Sequence, residues 1–90
     1  MNHVEGKKRG RIFLFALSTC VWCAKTKKLL DDLGVDYYYV DVDLLKGESR
    51  EEALKEMERW NPKRSFPTLV INDRHIVGFD EKKIKEALAA

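Results

Sequence analysis

Ile12-Phe13-Leu14-Phe15-Ala16-Leu17-Ser18-Thr19-Cys20-Val21-Trp22-Cys23-Ala24 passes from one hydrophobic period to another around a pair of cysteines. Its first six residues form the short continuous apolar run of a strand buried on both faces, and from Ala24 the apolar residues Leu29, Leu30 and Leu33 recur at helical spacing. Cys20 and Cys23 therefore stand where a strand hands over to a helix start. A thiolate there meets unpaired backbone N–H groups and the positive end of the helix dipole, which favour the charged, nucleophilic form. Two cysteines separated by two residues in that place form a candidate redox switch.

Working outward, Gly34 provides a stop for the first helix, predicted over residues 21–33. Val35 to Val42 is β-branched and aromatic, a second strand, and pairing it parallel to the first requires the helix between them as a right-handed crossover. Ser49-Arg50-Glu51-Glu52 reads as a capping box opening a second helix that runs to about Trp60, with Ala53, Leu54, Met57 and Trp60 as its apolar stripe. Asn61-Pro62 ends it. Thr68 to Ile71 and His75 to Val77 read as a hairpin turning at Asn72-Asp73-Arg74. Asp80 is placed to cap a last helix whose inward residues are Ile84, Ala87 and Leu88. The order is βαβαββα, one small domain over residues 11–90 preceded by a flexible basic tail, residues 1–10.

The chain has 90 residues and a net charge of +2, with charged residues forming 36% of it. Both signs are interspersed, so no polyanionic partner is implied, and the basic run Lys7 to Arg11 lacks the aromatic interleaving of a nucleic-acid reader. No apolar stretch approaches the roughly 20 residues of a membrane span. The expectation is a cytoplasmic monomer with no membrane or nucleic-acid role. Two cysteines are too few for the multi-bridge framework of a secreted miniprotein.

Three separated elements now coincide: Cys20-Val21-Trp22-Cys23 after a strand, Phe66-Pro67-Thr68 before a strand, and Val77-Gly78-Phe79-Asp80 before the last helix. Together they resemble the glutaredoxin branch of the thioredoxin superfamily over essentially the whole domain. The resemblance implies an α/β, thioredoxin-like fold, with a four-stranded mixed sheet flanked by helices and Pro67 in a cis peptide beside the cysteines. It implies dithiol–disulfide exchange, with Cys20 as nucleophile and Cys23 as resolving thiol. The main chain at Phe66 would then offer an edge to which an extended peptide or glutathione hydrogen-bonds. Trp22, Arg64, Phe66, Pro67, Gly78, Phe79 and Asp80 are the candidate substrate-binding residues, with no tightly bound cofactor and no metal ligand. Trp22 reads equally as a partner contact and as a cover for the helix end.

The neighbours of the cysteines bear on the electron donor. Glutathione-dependent members carry a basic residue three positions before the first cysteine, where this chain has Leu17; Arg64 matches a second basic position, and residues 77–81 replace an acidic Gly-Gly element. Val21 and Gly78-Phe79 resemble instead the small redoxins that serve ribonucleotide reductase and are recycled by thioredoxin reductase. The expected partners are disulfide-containing proteins and a thioredoxin reductase-type or other protein reductase, with glutathione as the alternative co-substrate. A reading of another class is zinc or an iron–sulfur cluster on the CxxC, although one such motif supplies two of the four ligands of a closed zinc site. A third makes the cysteines inert buried hydrophobes. Met1-Asn2-His3 resembles an amino-terminal copper or nickel chelate, with a plain terminus as the simpler reading, and His75 reads as a surface strand residue. Of Tyr37, Tyr38 and Tyr39, one or two belong to the core.

Overall fold

A computed structural model describes residues 1–89. Nine elements follow one another: β1 (Asn2–Val4), β2 (Ile12–Ala16), α1 (Val21–Leu33), β3 (Tyr37–Asp41), a 3-10 turn (Val42–Leu44), α2 (Gly47–Glu58), β4 (Thr68–Ile71), β5 (Arg74–Val77) and α3 (Glu81–Ala89). The sheet has the order β1-β3-β2-β4-β5. β2 and β3 run parallel across α1, while β4 is antiparallel to both β2 and β5.

The architecture follows from the apolar run. β2 lies at the centre of the sheet, so alternate residues face opposite layers. Ile12, Leu14 and Ala16 pack with Leu30 of α1 and with Ile84 and Ala87 of α3. Phe13 and Phe15 pack the other way, with Val40, Val70 and the α2 stripe of Ala53, Leu54 and Met57, and with Trp60 just beyond it. A strand covered on both sides needs apolar residues at every position, which is why Ile12 to Ala16 does not alternate. Of the α1 leucines, Leu30 is fully buried, Leu29 half-buried, and Leu33 turns out to solvent. Tyr37 enters the core, Tyr39 is half-buried and Tyr38 is exposed.

Two expectations are corrected. Residues 1–10 do not form a flexible tail: β1 pairs antiparallel with β3, Asn2 opposite Tyr39 and Val4 opposite Tyr37, and Lys7 bridges to Val35. The sheet therefore has five strands, one more than the four predicted. His3 fastens the added strand, its Nε2 lying 2.9 Å from both Asp36 carboxylate oxygens and its ring stacked 4.4 Å from that of Tyr38. Edge pairing is carried by main-chain groups, so a polar segment without apolar periodicity performs it. The capping box at Ser49 is unused: the cap position falls three residues earlier, at Lys46, which makes no side-chain cap bond. The chain enters α2 through Gly47 at φ 59°, a left-handed turn that a glycine makes without a side-chain clash.

Candidate active site

Cys20 is the N-cap of α1, with extended backbone, and its sulfur accepts a hydrogen bond from the Cys23 N–H at 3.2 Å. The residue thus occupies the position where a side-chain acceptor satisfies an orphan helix donor. Its own N–H donates to the Leu17 carbonyl at 3.2 Å, closing a tight turn after β2. Cys20 is half-buried and Cys23 fully buried, both as free thiols. Burial, followed by a hydrogen bond to Cys20, pushes the Cys23 thiol up to about 12. The pair is asymmetric, Cys20 partly open to solvent and Cys23 fully buried.

The loop that delivers Cys20 is tied down by a residue the sequence reading missed. Asp43, in the turn after β3, accepts the Ser18 backbone N–H at 2.8 Å and the Ser18 hydroxyl. Those two bonds hold its carboxyl below the usual carboxylate range. Lys27 and Asp41 were also missed; they form an ion pair of 2.9 Å at the C-terminal end of β3. Nothing in the local sequence marks Asp43, whereas Lys27 carries a signal, falling one helical turn after Cys23.

The second element of the site comes from the loop before β4. The Phe66–Pro67 peptide bond is cis, and Pro67 is buried. Asn61, read from the sequence only as a helix terminator, is the hub of this loop. Its Nδ2 donates to the Ser65 hydroxyl at 2.9 Å, the Ser65 carbonyl at 3.2 Å and the Thr68 hydroxyl at 3.1 Å. The Thr68 hydroxyl in turn donates to the Ser65 carbonyl at 2.8 Å. A buried amide with these partners fixes the turn that presents Phe66 and Pro67.

The third element joins the other two. Gly78, at φ 82°, donates its N–H to the Pro67 carbonyl at 2.8 Å, and this left-handed geometry turns the chain so that Phe79 faces α1. The Phe79 ring stacks with Trp22, centroids 6.1 Å apart. Trp22 is 54% and Val21 67% exposed, so an apolar rim lies beside Cys20. Asp80 caps α3, accepting the Lys83 N–H at 3.1 Å. Arg64, also in left-handed backbone at φ 53°, points its guanidinium at the Glu58 carboxylate. The structure thus gathers Cys20, Cys23, Trp22, Phe66, Pro67, Gly78, Phe79 and Asp80 through direct links between their elements, while Arg64 is engaged with α2. A cavity of about 800 Å³ lies between α2 and the sheet against Phe13, Phe15, Val40 and Trp60, and neither cysteine lines it. Among the described residues no group of three or more His, Cys, Asp or Glu side chains gathers in metal-binding array. No helix of those residues is long and apolar enough to cross a membrane.

A parallel β2–α1–β3 unit with a dithiol at the helix start and a cis-proline loop against it defines a thioredoxin-like dithiol domain. Residues 12–76 match the glutaredoxin family model, and the chain belongs to that family, whose members are thiol-disulfide oxidoreductases. Among solved structures it is similar to the glutaredoxin of Methanosarcina mazei, at 58% identity and a TM-score of 0.92, over 99% of this chain and 87% of that one. It is similar also to the methanoredoxin of Methanosarcina acetivorans, at 57% identity and a TM-score of 0.90, over 94% and 90% of the two chains. A glutaredoxin of Ricinus communis is 34% identical over 77 residues, covering 84% of this chain and 72% of the relative.

Proposed function

We propose that this chain reduces disulfides of proteins or small molecules with Cys20 as the attacking thiolate and Cys23 as the resolving thiol. The observation that carries this reading is the asymmetry of the pair: a half-buried Cys20 at a helix N-cap, its sulfur accepting the Cys23 N–H at 3.2 Å, beside a fully buried Cys23. Cys20 attacks a substrate disulfide, forming a mixed disulfide and releasing one substrate thiol. Cys23 then attacks the Cys20 sulfur, the Cys20–Cys23 bond forms, and the second substrate sulfur leaves as a thiolate that takes up a proton. The substrate is reduced by two electrons, and a reductant later reopens the internal bridge.

Substrate binding falls to the Phe66-Pro67 edge and the rim of Trp22 and Phe79. Among the described residues, neither the N–H nor the C=O of Phe66 takes part in a backbone hydrogen bond, which leaves both to pair with an extended substrate. A protein reductase is the favoured electron donor. Leu17 supplies no charge at the position where glutathione-dependent members are basic, and the Arg64 guanidinium is already occupied by Glu58. The exposed Val21 and Trp22 suit a protein surface. Glutathione is the second reading, supported by family membership.

Coupled NADPH oxidation tests both statements, first with thioredoxin reductase and then with glutathione and glutathione reductase. The first couple is expected to turn over faster. The assignment of the cysteines is tested by Cys20→Ser, expected to abolish exchange, and Cys23→Ser, expected to accumulate mixed disulfides on Cys20. Equal activity of both variants and the parent would refute it.

A further inference from the structure

Lys27 follows Cys23 by four residues on α1, so both side chains leave the same side of the helix. It is drawn inward: its Nζ lies 2.9 Å from Asp41 Oδ1, its side chain is 24% exposed, and it sits 4.3 Å from the centre of the Tyr39 ring. The other lysines of α1 behave as surface groups. Lys28 is 77% exposed and pairs with Asp32 in solvent, and Lys25 lies over the outer face of Trp22. Asp41 is opposite Ala16, the last residue of β2, in the parallel register of β2 and β3. The ammonium is therefore held by a carboxylate and an aromatic face on the side of α1 where the resolving thiol is buried.

That thiol must lose its proton before it can attack, and its surroundings oppose the charge. Burial and the neighbouring Cys20 hold the proton on, while the Leu17 backbone and the Lys27 charge favour the thiolate. Of the ionisable groups of β3, Asp41 and Tyr39 are engaged with Lys27, Tyr37 shares the core with Cys23 and donates its hydroxyl to Asp31, and Tyr38 is exposed. We propose that Lys27, anchored by Asp41, is a positioning residue for the resolving half of the exchange, its ammonium stabilising the Cys23 thiolate as it attacks the mixed disulfide. In that step the Cys23–Cys20 bond forms and the bond from Cys20 to substrate sulfur breaks. The electron pair leaves with the substrate, and the proton given up by Cys23 ends on the departing thiol. The inference rests on the assignment of Cys23 as resolving thiol.

Dithiobis(nitrobenzoate) separates the two steps, since it releases one coloured thionitrobenzoate when Cys20 attacks and a second when Cys23 resolves. In Lys27→Met the first phase is expected within about twofold of the parent. The second is expected to slow about tenfold at neutral pH, with its pH midpoint raised by about one unit. Lys27→Arg is expected to restore most of the second phase. Asp41→Asn, which frees the ammonium without removing it, is expected to slow the second phase alone and keeps the question answerable if Lys27→Met does not fold. An unchanged second phase in whichever of these variants folds, or equal slowing of both phases, overturns the proposal. Persistence of the second release in Cys23→Ser would instead overturn the assignment of the resolving thiol.

Discussion

The Cys23 backbone N–H donates to the Cys20 sulfur across 3.2 Å, so the attacking atom is also the cap of the helix that carries the resolving one. Stability and reactivity share one bond. Cys20→Ala is expected to destabilise the reduced protein by about 0.5–1 kcal/mol through loss of the cap, and Cys20→Ser to recover most of that. Denaturant titration under reducing conditions measures both; equal stability of the two variants would show that the sulfur does not act as a cap.

Burial of Cys23 couples the reduced state to alkaline pH. The folded thiol is pushed up to about 12, above its unfolded value of about 8.5, so its contribution is complete below the unfolded value and is lost as pH rises through the folded one. The reduced protein is expected to lose about 1–2 kcal/mol between pH 8.5 and 10 from this group, and Cys23→Ala to follow a flatter curve there. Parallel curves for the two proteins would contradict the coupling.

The β1 clasp responds to acid. The His3 hydrogen bond, together with the Gly6 N–H, holds the Asp36 carboxyl below its usual value. A lowered carboxylate contributes stability above its unfolded value of about 3.9, and that contribution disappears as pH falls through the folded one. Asp36→Ala is expected to accelerate amide exchange across residues 2–4 and 37–39 at neutral pH while leaving α1 protected. Uniform acceleration over the whole chain would show that β1 does not open as a local unit.

Asn61 holds the cis-proline loop. Asn61→Ala leaves the Thr68 hydroxyl and the Ser65 groups without their buried donor and is expected to cost about 1–3 kcal/mol. Because the same bonds aim Phe66 and Pro67, turnover with a protein disulfide should fall even at temperatures where the variant stays folded. Activity retained alongside lost stability would confine Asn61 to folding.

The inner side of α2 offers a control remote from the chemistry. Met57 is fully buried among Phe15, Val40 and Val70, and Met57→Ala is expected to cost about 2–5 kcal/mol. In protein that remains folded, the rate of Cys20 alkylation should match the parent; a marked change would mean that packing under α2 reaches the site.

Much of this was legible along the chain. The switch from a continuous apolar run to helical spacing at Cys20 located β2, α1 and the dithiol, and the Thr68 to Val77 pattern located the hairpin. These are short-range signals, because burial on both faces or on one stripe leaves a period in the sequence. The capping box at Ser49 misled because Gly47 had already turned the chain into the helix.

Local patterns along the chain specify the order of the main elements, the place of the cysteines at a helix start and the residue types of the proline and glycine loops. Packing of the layers is what brings β1 to the sheet edge, turns Asn61 inward, sets Asp43 against the loop before Cys20 and pairs Lys27 with Asp41. The reason is physical. Main-chain pairing at a sheet edge and specific polar contacts, whether between residues 14 to 33 positions apart or within the loop that Asn61 holds, impose no local period, so they exist only once the layers have packed.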